Sequence, residues 1–382
     1  MLRFIPFLLF LLLLVFLAAD IMAVDATAPL AANPPGRDWP QFRGDPAASG
    51  VAYTTLPTKP ALLWRQEIKG ASFESAPAIV DGVVYLSDRD GNLLALRLSD
   101  GEKIWAVKVD SSFIAAPAVR GGLIYLGDTD GVCYCFETKT GAQKWKFTAE
   151  SEVDNSANFW RDKVLFGSQD RNLYCLDAQS GVLTWKHPID DQIRCCPTVV
   201  GDRAFVAGCD GKLHIIDLMK GAAVASVPIE SPTGVTPAVL GDCVYFGTQG
   251  GAFFAVNWQD PQVVWKKQEK NSSDPFESAA AVVSGYIVIG RRNRLVQALD
   301  PKTGDEKWAF PTRQRLDGAP VIVGDRVLIG SADGRLYALD LKTGKETWQH
   351  QCNGGLSGSP AVASGKLVIA SERGFVYCFG DK

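Results

Sequence analysis

The sequence predicts an all-β protein, an eight-bladed β-propeller of four-stranded antiparallel blades. Seven tryptophans recur 40, 41 or 43 residues apart, with one double interval, at Trp64, Trp105, Trp145, Trp185, Trp265, Trp308 and Trp348. An opening strand with small residues occurs eight times, beginning near Ala76, Ala116, Ala157, Cys196, Thr236, Ala279, Ala319 and Ser359. Each unit also offers four short apolar runs separated by turn signals such as Asp90-Gly91, a pattern typical of one propeller blade.

The last unit lacks its fourth strand. The chain ends after residues 375–379, whereas a spare tryptophan-bearing strand at residues 62–65 precedes the first opening. Pairing the two would close the ring and remove two exposed sheet edges. We therefore predict that an N-terminal strand completes the eighth blade. Ala225 replaces the fourth-unit tryptophan and Gln259-Asp-Pro261 replaces the next glycine turn, so we expect looser packing there.

The N-terminus has the pattern of a signal peptide. Arg3 is followed by an apolar run from Phe4 to Ala19, and the small residues beyond it offer a cleavage site near Ala23 or Ala28. The run is shorter than the roughly 20 residues that a helix needs to cross a bilayer. We predict a cleavable signal peptide and no transmembrane span after its removal, with an uncleaved anchor as the alternative. No cysteine near the run suits lipid attachment, so we expect a periplasmic or secreted protein.

We divide the chain into a signal peptide (residues 1–23), an N-terminal extension (24–57) and the propeller (58–382). The extension contains Trp39-Pro-Gln-Phe-Arg-Gly44, which we expect to pack on the surface of the propeller. The formal net charge of -3 suggests no nucleic-acid partner.

Two segments carry a family resemblance. They are Leu299-Asp-Pro-Lys-Thr-Gly-Asp-Glu-Lys-Trp308 and Leu339-Asp-Leu-Lys-Thr-Gly-Lys-Glu-Thr-Trp348. Both resemble the tryptophan-docking motif of the pyrroloquinoline-quinone (PQQ) propellers, and the resemblance covers about residues 58 to 382. That family includes the quinoprotein alcohol dehydrogenases and also BamB, a non-enzymatic outer-membrane assembly lipoprotein with eight blades. Because one fold supports many functions, the resemblance leaves an enzyme and a binding protein both open.

The candidate ligand site is a ring at the top mouth of the central channel, the end at which the connections between blades lie. One residue stands just before the small residues that open each inner strand, and five of the eight are charged or carry an amide. These five are Glu74, Asn155, Arg194, Glu277 and Asp317. Since inner strands surround the channel, we expect the five side chains to meet there. The alternative is a solvated rim that binds nothing.

Six apolar residues stand beside this ring at matching places in the connections. They are Phe73, Phe113, Ile193, Phe276, Leu316 and Leu356. Exposed together, they would form an apolar patch for a protein partner. Folded inward, they would anchor each connection instead. The connection over residues 267–277 is three residues longer than its counterparts, so we expect it to project furthest and to bring Phe276 to the partner.

Cys195 and Cys196 raise an enzymatic alternative. The resemblance implies that alcohol-oxidising quinoproteins carry a disulfide between adjacent cysteines against the cofactor, and an exported protein permits such oxidation. Glu74, Glu277 and Asp317 would then supply a carboxylate base beside PQQ and calcium. The repeat, however, places small residues where both cysteines stand, so packing by size is the other interpretation. No cysteine or histidine spacing predicts a metal site.

We therefore expect an exported, non-enzymatic binding or scaffold protein without a bound cofactor. Its top-face loops would bind another exported or envelope protein, with envelope assembly as one setting. The alternative is a PQQ-dependent alcohol or sugar dehydrogenase. The short repeats argue against it, because they leave almost no room for the long insertions that cover the cofactor in such enzymes.

Overall fold

The computed structural model describes residues 38–268 and 274–382. The signal peptide predicted over residues 1–23 and the tip of the long connection at residues 269–273 lie outside the described residues. No helix within the described ranges is long and apolar enough to cross a membrane. The described residues form 33 strands, and all but the short β1 (Val51–Ala52) build eight four-stranded blades.

The first four blades follow one another directly along the chain. Blade 1 contains β3 (Ala78–Val80), β4 (Val83–Ser87), β5 (Asn92–Arg97) and β6 (Lys103–Lys108), and blade 2 contains β7 (Ala118–Arg120), β8 (Leu123–Gly127), β9 (Val132–Glu137) and β10 (Gln143–Thr148). Blade 3 contains β11 (Asn158–Trp160), β12 (Lys163–Gly167), β13 (Asn172–Asp177) and β14 (Leu183–Pro188), and blade 4 contains β15 (Thr198–Val200), β16 (Arg203–Ala207), β17 (Lys212–Asp217) and β18 (Ala222–Pro228).

The next three blades repeat this order, and the eighth is assembled from both ends of the chain. Blade 5 contains β19 (Ala238–Leu240), β20 (Cys243–Gly247), β21 (Ala252–Asn257) and β22 (Gln262–Gln268), and blade 6 contains β23 (Ala281–Val283), β24 (Tyr286–Gly290), β25 (Leu295–Leu299) and β26 (Glu306–Pro311). Blade 7 contains β27 (Val321–Val323), β28 (Arg326–Gly330), β29 (Arg335–Asp340) and β30 (Glu346–Gln351), and blade 8 contains β31 (Ala361–Ala363), β32 (Lys366–Ala370), β33 (Phe375–Gly380) and β2 (Ala61–Glu67).

The closure predicted from the sequence is confirmed. Strand β2 pairs antiparallel with β33, and Trp64 lies opposite Cys378. First strands of neighbouring blades contact each other around the ring, including β3 of blade 1 with β31 of blade 8, and blades 2 and 3 are linked there by the Ala116 amide, which donates to Ser156 Oγ. These first strands therefore surround a common axis, and the ring has no open blade.

The burial pattern follows from the stacking of blades. The middle strands are buried on both faces, as in β8, because each face packs against a neighbouring blade. Outermost strands such as β10 alternate exposed and half-buried residues, since only one face is covered. The apolar core is thus a series of clusters between adjacent blades.

Five of the repeated tryptophans bond their blade to the next one through the indole N–H. The indole N–H of Trp64 donates to the carbonyl of Leu98 in blade 1 at 2.9 Å, and Trp308 donates in the same way to Leu341 at 2.9 Å. The neighbouring turn must carry glycine, because a Cβ at Gly101 would lie 2.5 Å from the Trp64 ring and its φ is 75°. The motif therefore specifies the contact between blades.

Candidate functional site

Residues 39–54, which we call the plug, line the central channel rather than the outer surface. Inner-strand amides of six blades donate to plug carbonyls: Ile79 to Trp39, Val119 to Pro40, Val199 to Pro46, Val239 to Ala47, Val282 to Ser49 and Ile322 to Gly50. Blade 3 bonds through the Asn158 amide, 2.9 Å from the Pro46 carbonyl, and blade 8 through Gly365, whose N–H donates to Thr54 Oγ1. The plug thus makes one circuit of all eight blades.

This position corrects the expectation that the extension packs on the surface. An inner strand presents an edge of unpaired N–H groups to the channel, and buried backbone donors need partners. The plug carbonyls supply them, and β1 extends the sheet of blade 7 by pairing parallel with β27. Sequence periodicity could not show this, because the plug contains no repeat.

Two charged residues lie inside the plug. Arg43 is 1% exposed, and its Nη2 donates to the Ala280 carbonyl at 2.9 Å. Burial lowers the pKa of Arg43 to about 9, against the attraction of Asp45. Burial likewise raises the pKa of Asp45, although the Ser49 hydroxyl and amide donate to its carboxylate. Asp45 thus holds the plug together through Ser49, and Arg43 bonds the plug to blade 6.

The eight ring positions meet at one cavity of about 210 Å³ above the plug. Each ring residue stands four positions before the first residue of an inner strand. They are Glu74, Ile114, Asp154, Arg194, Gly234, Glu277, Asp317 and Ser357, and all eight line the cavity. Phe42 of the plug also borders it. We call this cavity the cup, because the plug closes the channel on one side and the ring surrounds it on the other.

All five predicted ring residues line the cup, but Asn155 lies one residue after the ring position of blade 3. Asn155 is 5% exposed, and its amide is committed to the backbone of Gly167, with Oδ1 accepting from N at 3.0 Å and Nδ2 donating to O at 2.9 Å. The ring position of blade 3 belongs instead to Asp154. The prediction was one residue out because it took Ala157 as the start of the small-residue opening in blade 3. The inner strand of blade 3 begins at Asn158, which is equivalent to Thr198 in blade 4.

Arginines outside the cup hold two of its carboxylates. Arg89 Nη1 lies 2.9 Å from Glu74 Oε1. Asp317 lies between two guanidinium groups, at 2.8 Å from Arg292 Nε and 2.7 Å from Arg315 Nε. None of these three arginines lines the cavity. The three arginine side chains are about half exposed to solvent, so these pairs position the carboxylates more than they stabilise the fold.

Asp154 has a different environment. Its side chain is 7% exposed, and Oδ2 accepts from Gln169 Nε2 at 2.8 Å. Arg194 Nε lies 3.6 Å from the same oxygen, beyond a good hydrogen bond. Burial raises the pKa of Asp154, while Gln169 and Arg194 act in the opposite direction. Among the described residues, Oδ1 has no hydrogen-bond partner.

The six apolar residues beside the ring are buried, so they do not form an exposed patch. The exposures of Phe73, Phe113, Ile193, Phe276, Leu316 and Leu356 lie between 0% and 4%. Phe276 packs on Phe253 with ring centroids 5.3 Å apart, and the Arg291 guanidinium lies 4.7 Å from its ring centre. These side chains anchor the connections, which corrects their assignment as exposed partner contacts. Whether the long connection projects stays a prediction, because its tip lies outside the described residues.

Cys195 and Cys196 are buried free thiols, as are most of the nine cysteines, all of which lie in described parts of the chain and are unpaired. Burial raises the pKa of Cys195 to about 12 and that of Cys196 well above its usual value. The Cys196 amide donates to Thr236 Oγ1 in the next blade at 3.0 Å. The two residues pack as the small residues of the other blades do.

A hydrogen-bonded chain in blade 4 was missed by sequence reasoning. His214 Nε2 lies 2.8 Å from Asp210 Oδ2, and Ser226 Oγ lies 3.1 Å from His214 Nδ1. The matching residues in blade 3 make the same link, since Tyr174 donates to Asp170 at 2.6 Å. These hydrogen bonds therefore link the turn that carries Asp210 to strands β17 and β18. Within residues 38–268 and 274–382, no three His, Cys, Asp or Glu side chains are grouped to hold a metal ion.

The fold and the cup define a closed eight-bladed propeller of the PQQ-repeat type with an internally plugged channel. A family model described as outer membrane protein assembly factor BamB matches residues 50–267 and 192–379. The chain belongs to this family. No curated protein sequence matches it significantly.

Solved structures share the fold at low sequence identity. BamB from Moraxella catarrhalis superposes with a TM-score of 0.72 and 18% identity, covering 85% of this chain and 98% of that one. Quinohemoprotein alcohol dehydrogenase from Comamonas testosteroni gives a TM-score of 0.77 and 14% identity, covering 92% and 81%. The computationally designed Ika8 protein gives 0.75 and 17%, covering 84% and 99%. At such identities these likenesses show the fold alone.

Proposed function

We propose that this protein is an exported, non-enzymatic binding or scaffold protein whose cup receives part of another envelope protein. The observation that carries the proposal is the cup itself: eight ring residues converge on a cavity whose other side is closed by the plug. Binding residues usually lie on connecting loops that a rigid frame holds in place, and the ring residues have this arrangement.

The size of the cup favours a side chain over a whole cofactor. Pockets that enclose drug-sized ligands measure roughly 300–1,000 Å³, and the cup measures about 210 Å³. Its rim nevertheless offers exposed polar groups, because Arg194 and Glu277 are both exposed. A partner could therefore rest on the rim and insert one side chain.

The lining argues against the alternative of a PQQ dehydrogenase. PQQ carries three carboxylates. The cup presents four carboxylates and one guanidinium, so its lining would repel the negative charges of PQQ. Calcium would need several convergent oxygen ligands, and the described residues offer no group of three acidic, histidine or cysteine side chains for a metal. The residues of the cup thus do not suit PQQ with calcium, and we derive no oxidation step through it.

Site-specific photocrosslinking in native envelopes tests the proposal. A photoreactive residue at Glu277 should capture a discrete protein, and the same residue at Lys342, on the turn at the opposite end of blade 7, should not. Equal capture at both sites, or none at Glu277, would contradict it. A second experiment tests the enzymatic alternative by adding PQQ and calcium to the purified protein. A new absorbance band, together with alcohol-dependent reduction of a dye, would favour the dehydrogenase.

A further inference from the structure

The outer edge of blade 4 differs from those of the other seven blades. Its outer strand, β18, reads Ala-Ala-Val-Ala-Ser-Val-Pro and contains no charged residue. Each of the other seven outer strands contains at least one lysine, arginine or glutamate. An outer strand is the edge of its sheet, and proteins commonly place charges on such edges to prevent further strand pairing. Blade 4 lacks this protection.

Exposed apolar side chains collect around this edge. Blades 3, 4 and 5 carry six of the nine large apolar side chains that are exposed in the described ranges, all on the outer strand or in the turn before it: Val182, Leu183, Met219, Val224, Val263 and Val264. Blade 6 carries Glu306 and Lys307 at the places equivalent to Val263 and Val264. An apolar surface of this kind, bordered by polar residues, is typical of a protein contact.

The backbone of β18 has groups that point away from its own sheet. The Ile229 amide, just after the strand, donates to the Gly211 carbonyl on the β17 side at 2.8 Å. Successive residues of an antiparallel strand direct their backbone groups to opposite sides, so the Ser226 amide and carbonyl point outward. Pro228 lacks an N–H, but it stands at the last position of the strand and leaves the middle unchanged. The edge can therefore pair with a further strand.

The sequence around β18 is self-complementary. Antiparallel pairing of β18 with a copy of itself about its midpoint, Ala225, overlaps all seven residues and opposes only apolar and small side chains. Lys220 stands two residues before the strand and Glu230 two residues after it, and both are exposed. Two-fold symmetry would therefore place Lys220 of each copy beside Glu230 of the other. Glu230 already holds Lys266 at 2.5 Å, and a carboxylate can accept from more than one donor.

We propose that this protein forms a two-fold symmetric homodimer in which β18 pairs antiparallel with β18 of a second copy, centred on Ala225. The two blade-4 sheets then join edge to edge into one sheet of eight strands. Self-complementary contacts about a two-fold axis are the commonest kind in soluble oligomers. The same arrangement at β10 or β22 would bring two positively charged strands together. The inference goes beyond the proposed function, because it uses the side of the ring and not the cup.

Sedimentation equilibrium on the purified chain without residues 1–23 tests the dimer. Val224→Lys adds two positive charges near the two-fold axis, and it should raise the dimer Kd ~10-fold or more. Ile104→Lys is the matched control, because Ile104 holds the equivalent place on β6 and is 44% exposed, against 51% for Val224. We expect the control to dimerise as the wild type does. A wild-type chain that stays monomeric at every concentration, or equal weakening by both variants, would overturn the proposal.

Charge reversal tests the register of the pair. Lys220→Glu places like charges together at both ends of the pair and should raise the dimer Kd ~5-fold. Adding Glu230→Lys to the same chain should restore much of the lost affinity, because the two ends are again complementary. If the double variant associated no better than Lys220→Glu alone, pairing about Ala225 would be wrong.

Hydrogen exchange locates the contact independently of these charges. Exchange over residues 222–228 should slow as the concentration of the wild-type chain rises, and it should not do so for Val224→Lys. A dimer in which this segment exchanged as fast as in the monomer would have its interface elsewhere and would refute the proposal. Neither result depends on crosslinking at Glu277, so the dimer and the binding function of the cup can fail separately.

Discussion

The indole of Trp258, in the turn of blade 5, packs edge-on against the ring of Phe205 in blade 4, with centroids 5.5 Å apart. Both belong to one core cluster, which also contains Ala225 at the position where other blades carry the repeated tryptophan. The tryptophan missing from one side of this interface is thus supplied from the other. Contrary to the expectation of loose packing, the space between blades 4 and 5 is filled.

Replacing Trp258 with alanine should therefore lower the free energy of unfolding by about 2–3 kcal/mol, since it empties space at a half-buried interface. Urea denaturation would measure the change. Met219→Ala is the control, because Met219 is 58% exposed in the corresponding turn of blade 4 and should change stability by no more than ~0.5 kcal/mol. Comparable losses for the two variants would show that Trp258 does not replace the missing tryptophan.

Phe276→Ala should destabilise the protein by roughly 3 kcal/mol, because Phe276 is 4% exposed and fills space against Phe253 and Gly247. A Cβ at Gly247 would lie 2.2 Å from the Phe276 ring, so the two residues are in close contact. Thermal denaturation measures the effect. A variant of wild-type stability that lost only partner capture would restore the interpretation of Phe276 as an exposed contact.

Gly50→Ala should displace the plug. Gly50 has φ 67°, and an added Cβ would lie 1.8 Å from Arg43 Nη2, which is buried and cannot move aside without breaking its bond to Ala280. We expect a loss of about 3 kcal/mol or more, together with faster hydrogen exchange at the Ile322 amide, which donates to Gly50. Gly82→Ala is the control, since Gly82 has φ 74° but nothing within 4 Å of the added atom. Equal effects would attribute the loss to backbone strain alone.

The turn after β13 should give a defined acid dependence. Donation from Ser180, followed by the bond to Lys163, lowers the pKa of Asp177 to about 2 from its usual 3.8. A pKa lowered by folding means that the ionised group stabilises the fold above the unfolded value and that this stability is lost as pH falls towards 2. Asp177→Asn should therefore cost up to about 1 kcal/mol at pH 7, after allowance for solvent screening. The difference should shrink between about pH 4 and pH 2, as melting temperatures of both proteins across that range would reveal.

Sequence periodicity was sufficient to predict the ring because every blade must make the same contacts with its neighbours. A tryptophan, a glycine turn and a small-residue opening recur wherever one blade must contact the next, so the number of blades and the closure by β2 followed from counting. The same repeat placed Glu74, Arg194, Glu277 and Asp317 at equivalent positions, and all four line the cup. In blade 3 the repeat was read one residue out, because Asn155 also lines the cup but the position equivalent to the other four is that of Asp154.

Features that break the repeat were decided by tertiary structure. Whether Phe276 faces solvent or the core depends on Phe253 and Gly247, which belong to the preceding blade, and no local pattern encodes that contact. That Trp258 of blade 5 fills the space left by Ala225 of blade 4 likewise cannot be predicted from the sequence of either blade alone.

Counting the repeats is enough to predict an eight-bladed ring closed by its own N-terminal strand, because repeated contacts between neighbouring blades leave a periodic pattern in the sequence. The position of residues 39–54 in the channel could be seen only in the folded protein, since the edges of six inner strands, far apart in sequence, create the backbone donors that this segment satisfies. The plug makes the channel a cup, and the packing around Asp154 leaves its Oδ1 without a hydrogen-bond partner among residues 38–268 and 274–382.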